Sequence, residues 1–192
     1  MPQPDPNKLL AFETPEAFGK WLEKNHASET ELWVNFYKKA SGKKTITWEQ
    51  SVVEALIWGW IDSIRKSWDE ESYIHRFTPR RKKSNWSKIN RQHIERLLKE
   101  GRMQEPGMVH VRAAQEDGRW EAAYAPQSEM EVSDDFLAAV AANPNAQETF
   151  DSLNKQYRFG IAYQLQSAKR PQTRENRFER YLSQLSGGKK PF

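Results

Sequence analysis

TWEQSVVEALIWGWIDSIRKSWDEESYIHRFTP, residues 47–79, decides the fold. Thr47-Trp48-Glu49-Gln50 has the form of a capping box, with a threonine cap and a glutamine three residues on, so a helix should run from there to about Trp58. Gly59 stands where a left-handed residue ends such a helix. The chain then turns into a strand over 61–68, a turn at Asp69-Glu70-Glu71-Ser72 and a second strand over 73–78, which together make a hairpin.

Working outward, ELWVNFYKK, residues 31–39, reads as another strand. Leu32, Val34 and Phe36 line one side of it and Trp33, Asn35 and Tyr37 the other, the pattern of a strand covered at least in part on both faces. Thr14-Pro15 opens a helix with Phe18, Trp21 and Leu22 on its apolar side, fading near His26. Past Pro79 no strand is predicted. Helices are expected near 87–100, 106–117, 134–142, 145–155, 157–168 and 173–186, with Pro106, Ser133 and Pro144 at starts and Gly101, Gly118 and Gly187 at stops. The fold class is therefore α+β: a small antiparallel sheet with helices, followed by a helical C-terminal half. The expected division is an α+β lobe over 8–79, a helical lobe over 80–186, and loose tails at 1–7 and 187–192.

The composition narrows the function. Eight Trp, nine Phe and six Tyr in 192 residues supply the large buried areas that a modest aliphatic content would not. No cysteine is present, which excludes disulfides, thiolate zinc sites and thiol nucleophiles. The opening MPQPDPNKLL lacks an apolar signal core, and no apolar run approaches membrane-spanning length, so the expectation is a soluble, cytoplasmic chain without a membrane span. The net charge of +4 is mild but unevenly spread. Arg80 to Arg102 holds nine basic and two acidic residues, whereas Gln115 to Asp135 holds seven acidic and one basic. Such polarity can steer a charged ligand.

Chemistry-bearing residues cluster in two places. Asp62 begins a strand just after a helix stop, at the rim of the first lobe, where ligand groups often sit. A cross-strand Asp62–Arg76 ion pair is the structural alternative for it. The densest stretch is FTPRRKKSNWSKIN, residues 77–90. There arginine forks, an indole and a helix start can together hold a phosphate or carboxylate. The candidate ligand-binding set is Lys38, Trp60, Asp62, Arg76, Arg80, Trp86 and Asn90, lining an aromatic, cationic cleft between lobes. Its ligand would be a small anion, held by a non-catalytic binding protein. Glu54, inside the apolar run of its helix, needs a partner or a raised pKa, and Lys38 or Lys39 is the expected partner.

Two other functions fit the same residues. One is an enzyme of hydrolase type using Glu54 or Asp62 as base, although no complete catalytic set is visible. The other is weak nucleic-acid binding through 80–102, which would carry a steep salt dependence. His26, His75, His93 and His110 are scattered, so no metal is expected. With no phosphate loop or dinucleotide fingerprint, no cofactor is expected either. The oligomeric state is not assigned.

Several segments resemble the YdeI/OmpD-associated proteins, the bacteriocin-protection family. The pieces are ELWVNFYKK, ALIWGWIDS, RFTPRRKKSNWSKIN, the GRM of 101–103, the GRW of 118–120 and AKRPQTRENRFERYL at 168–182. They extend over residues 12 to 186. The C-terminal signature falls here on Ala168, Lys169, Thr173, Arg174 and Arg177. The resemblance implies a bacterial protein linked to antimicrobial-peptide resistance and envelope stress, and implies no catalytic residue. On their own terms, Thr173 is the expected cap of the last helix. Arg174 and Arg177 sit where positive charge opposes the helix dipole, so they should be anchored by the acidic segment 116–135.

Overall fold

Thr47 makes the reciprocal cap its sequence encodes. Its hydroxyl accepts from the Gln50 N–H at 3.1 Å and the Gln50 side chain accepts from the Thr47 N–H at 2.9 Å. From this start the helix runs Trp48–Ile57, and Gly59 leaves it at φ +73°. The computed structural model describes residues 4–5, 8–126 and 129–192. Among these the elements are β1 (Leu9–Ala11), α1 (Pro15–Asn25), β2 (Leu32–Tyr37), α2 (Trp48–Ile57), β3 (Trp60–Ser67), β4 (Ser72–Pro79), α3 (Lys88–Lys99), α4 (Glu105–Glu116), α5 (Asp134–Ala141), α6 (Pro144–Asp151), α7 (Lys155–Gln166) and α8 (Pro171–Ser186). The class is α+β.

Packing groups the residues into two units, 1–86 with 90–123, and 87–89 with 124–192. The sequence draws its boundary at 79 and 80. By packing, α3 and most of the chain through α4 go with the sheet, because their apolar faces close over α2. Val52, Val53, Leu56 and Ile57 of α2 share a core with Ile94 and Leu97 of α3, Val111 and Ala114 of α4, and with Trp86 and Trp120. On its other side Ala55 joins Phe18, Leu22, Leu32, Val34, Phe36, Trp60 and Phe77 in the core beneath the sheet. A helix apolar on nearly every side is one buried on nearly every side.

The sheet order is β1-β2-β4-β3. The hairpin and the β2–β4 pairing are antiparallel, as expected, but β1 runs parallel to β2 and makes the sheet mixed. Three residues are too few to show a period, so β1 leaves no trace in the pattern. Register sets the two faces. Leu32, Val34 and Phe36 lie opposite Phe77, His75 and Tyr73, all toward the helices. Trp33 and Ile74, on the reverse side, are also fully buried. β3 pairs Asp62 with Phe77 and then slips by a bulge before Arg65 meets His75.

In the second unit, Phe136, Val140, Phe150, Ile161, Leu165, Tyr181 and Leu185 bring α5 to α8 around one core. Asn143 and Asn154 cap α6 and α7 by accepting from the Ala146 and Tyr157 N–H groups, each at 3.1 Å. α8 starts at Pro171 with Arg170 as its cap, so Thr173 lies inside the helix and is not the cap expected of it. Proline in the first turn explains the earlier start, since its missing N–H would be unpaired there anyway. Arg174 reaches Asp135 at 2.7 Å, the acidic anchor the sequence calls for. Arg177 instead donates to the Gln164 carbonyl at 2.5 Å. Outside the elements, Ser87 forms a parallel bridge to Tyr124, and the Lys88 N–H donates to the Tyr124 carbonyl at 2.9 Å.

The tails are only partly described. Residues 1–3 and 6–7 of the expected loose leader lie outside the described residues. At the other end Pro191 is buried and the Phe192 ring packs 5.4 Å from Tyr181, where fraying was expected. Gly160 makes room for it: a Cβ there would come within 2.7 Å of the Phe192 ring.

Candidate functional site

The loop after β4 is built on two buried arginines. The Arg80 N–H donates to the Gly59 carbonyl at 2.8 Å, which ties the end of β4 to the stop of α2. The Arg80 guanidinium then lies 3.6 Å over the Trp86 ring and donates to the Asn85 carbonyl at 2.5 Å. A flat, weakly hydrated guanidinium can be buried on an indole face in a way an ammonium cannot. Arg80 and Trp86 are only 4% and 2% exposed. From the other side Arg119 donates to the Ser84 carbonyl at 2.8 Å, while its Nε meets both Asp117 oxygens at 2.8 and 2.7 Å. Trp120 stands edge-on to Trp86 at 5.1 Å and carries Arg91 at 5.1 Å from its ring. The turn itself is closed by the Ser84 N–H donating to the Arg81 carbonyl at 3.0 Å.

This frame presents Arg81, Lys82 and Lys83 to solvent. Among the described residues none of the three side chains enters an ion pair. Of the other cations of the basic stretch, Arg91 pairs with Glu95 and Glu121, Arg96 with Glu100, and Arg102 with Glu54 and Glu100, while Lys88 and Lys99 of α3 are exposed and enter no ion pair among the described residues. Three consecutive cations without ion pairs among the described residues thus stand on one short turn.

Asp62 lies on the helix-facing side of β3 and accepts from the Trp48 indole N–H at 2.9 Å. Burial raises its pKa, and the Trp48 bond and the nearby Arg80 charge oppose that rise. The expected Asp62–Arg76 pair does not form. Asp62 is opposite Phe77, so Arg76 points from the reverse face, where it meets Glu31 at 2.6 Å. The expected pairing of Glu54 with Lys38 or Lys39 is likewise replaced, by Arg102. Burial pushes the Glu54 carboxyl up, against the pull of that guanidinium. Lys38 caps the hairpin, donating to the Asp69 and Glu70 carbonyls at 3.3 and 2.9 Å.

Of the seven candidate ligand residues, the structure brings together Arg80 and Trp86 by stacking, with Asp62 within reach of the Arg80 charge. Lys38 stands at the hairpin end of the sheet, whereas Trp60 pairs with Pro79 at the opposite end. Trp60 is buried in the core beneath the sheet, its indole donating to the His26 carbonyl at 3.1 Å. Asn90 is half-buried in the first turn of α3. Arg119, Trp120 and Arg102 were missed. The GRW and GRM segments are where they sit, but nothing local says which loop an arginine will reach.

Three histidines are pushed toward the neutral form, His93 by burial and the Arg96 charge against the pull of Glu49. His75 is buried among Phe36, Trp48 and Tyr73, its Nδ1 has no hydrogen-bond partner, and burial with Arg65 nearby lowers its pKa to about 4. His110 is pushed down by burial and by the charges of Arg80 and Arg119. Among the described residues no group of three His, Cys, Asp or Glu could hold a metal, and no helix is long and apolar enough to cross a membrane.

Comparison with known proteins adds two matches. Neither a curated protein nor a solved structure matches the chain. A family described as "Bacteriocin-protection, YdeI or OmpD-Associated" matches residues 129–188, which are the helices of the second unit and include the AKRPQTRENRFERYL segment. A second family, described as "Domain of unknown function (DUF8412)", matches residues 10–110. That match spans more than half of the 192 residues, so the chain belongs to the DUF8412 family and carries, in its second unit, the YdeI/OmpD-associated bacteriocin-protection domain.

Proposed function

We propose that this is a non-catalytic binding protein that takes a small anionic ligand at the turn Arg81-Lys82-Lys83. One observation carries the reading: three consecutive exposed cations without ion-pair partners among the described residues stand on a turn fixed at both ends by buried arginines. Their mutual repulsion is a cost the fold already bears, and an anion relieves it. Because the turn is pre-ordered, the ligand meets little entropic penalty on binding. Arg80, given a ligand role from the sequence, serves here as the anchor of the turn and adds its charge from beneath.

Two features favour this reading, one over catalysis and one over nucleic-acid binding. Glu54 and Asp62 are engaged with different partners, Arg102 and Trp48, and among the described residues neither forms a hydrogen bond to a second group that could serve as an acid–base mate. The ion pairs of Arg91, Arg96 and Arg102 also shorten the cationic surface available to a nucleic acid. The bacteriocin protection in the family's description is compatible with a binding role, and a role in resistance to antimicrobial peptides is part of this proposal.

The test is calorimetry with inorganic tripolyphosphate on the whole chain and on R81A/K82A/K83A. The expected result is saturable binding weakened by roughly tenfold or more in the triple variant. Equal affinity of the two proteins, or no binding to either, would overturn the proposal. A random duplex oligonucleotide serves as the second probe. Contact through this turn alone gives a log–log salt slope no steeper than about −2.7, three phosphates' worth. A steeper slope transfers the function to the longer basic stretch.

A further inference from the structure

A pocket of about 370 Å³ in the first unit shares no residue with the basic turn. Its lining includes Glu54, only 8% exposed. One carboxylate oxygen, Oε1, accepts from Arg102. The other, Oε2, has no hydrogen-bond donor among the described residues, and it is not sealed from solvent. Gly19 of α1 makes the seat: a Cβ there would stand 2.8 Å from Oε2. Glu16 and Glu23 of α1 line the rim, and Trp58 and Ile57 form an apolar wall. Against these three carboxylates the lining holds two cations, Lys20 and Arg102, so the pocket keeps one negative charge in excess.

From this geometry we infer that the pocket is a binding site for a small organic ammonium, a primary amine on a short aliphatic chain. The ammonium donates to Glu54 Oε2, and the alkyl chain lies along Ile57 and Trp58. The volume is in the range of sites for small molecules. Arg102 already shows that the Glu54 carboxylate accepts a cation. Its guanidinium arrives from the segment after α3 and is nearly half exposed, so it occupies one oxygen and leaves the other open. A desolvated carboxylate with one unfilled acceptor gains more from a second charged donor than an exposed one does, because water competes less. An anion would meet Glu16, Glu23 and Glu54 at once, which sets the sign of the ligand.

The test is a titration of the whole chain with n-butylammonium, followed by backbone amide NMR, with butyrate and n-butanol as matched probes. Saturable shifts at Gly19, Glu54 and Trp58 are expected with the amine only. Glu54→Gln keeps the shape and a donor–acceptor group, and should weaken binding by roughly tenfold or more. Gly19→Ala puts a methyl against Oε2 and should weaken it similarly. Arg102→Gln removes the internal competitor and should tighten it several-fold. Should one variant lose its native spectrum, the remaining two and the wild-type titration decide. Equal binding of the amine by wild type and Glu54→Gln, equal shifts with butyrate, or no saturable response in the wild type would overturn the assignment.

Discussion

Replacing Gly59 by alanine should separate two costs that the structure places at one residue. The first is conformational. At φ +73° an L side chain is strained by about 1–2 kcal/mol. The second is steric. A Cβ would stand 2.7 Å from the Pro106 carbonyl oxygen and 3.0 Å from the His110 ring. A backbone oxygen at the first turn of α4 cannot swing aside as a side chain can, so α4 must shift against α2, at a further cost of about 1–3 kcal/mol. Gly101 is the control: it has φ +66° with nothing within 4 Å of an added Cβ, so alanine there meets the conformational cost alone. The expected loss is about 2–5 kcal/mol for Gly59→Ala against about 1–2 for Gly101→Ala. Urea unfolding read by tryptophan fluorescence is the natural assay, because all eight tryptophans belong to the first unit. A Gly59→Ala midpoint no lower than that of Gly101→Ala would refute the reasoning, and with it the claim that the α2 stop is wedged against α4. Since the Gly59 carbonyl also accepts from Arg80, the same substitution should loosen the anchor of the basic turn.

Two further outcomes follow from burial. His75 resists protonation until about pH 4, whereas an unfolded histidine takes its proton near 6.5, so stability falls as pH drops through that window, by up to about 3 kcal/mol. Asp62 and Glu54, with raised pKa values, act in the opposite sense, regaining stability as acid protonates them in the fold. The difference between wild type and His75→Phe therefore isolates the histidine, and parallel stability curves from pH 7 to 4 would count against this account. Trp86→Ala should cost about 3–5 kcal/mol, because it empties a core and unseats Arg80. Trp48→Phe, at a residue 45% exposed, should cost only about 1, the worth of its bond to Asp62. Similar urea midpoints for the two would show that the stacked arginine and its indole carry little of the fold.

What the sequence discloses here is mostly local. Thr47, Gln50 and Gly59 mark α2 because a cap and a stop act on backbone groups a few residues away. The hairpin is legible for the same reason. Register is less so: the bulge after Asp62 shifts β3, and Arg76 faces the reverse side from the carboxylate paired with it on paper. Long-range partners are least visible. Arg102 reaches Glu54 from 48 residues away and Arg76 reaches Glu31 from 45. Their choice depends on which elements pack, which α2 settles by being buried on both sides. That same burial puts Trp60 and Trp86 into different cores, although each, read alone, is an aromatic beside a charge.

The bridge between Ser87 and Tyr124 makes the second unit discontinuous, with three residues drawn from far upstream. An expression fragment trimmed to the family boundaries, 129–188, would lack Tyr124 as well as Ser87–Ile89, both sides of that bridge. During synthesis Ser87–Ile89 leave the ribosome first and must wait for Tyr124. A dissection of this protein into halves should therefore carry Ser87–Ile89 on the C-terminal piece, grafted or supplied as a peptide, before the piece is judged unable to fold.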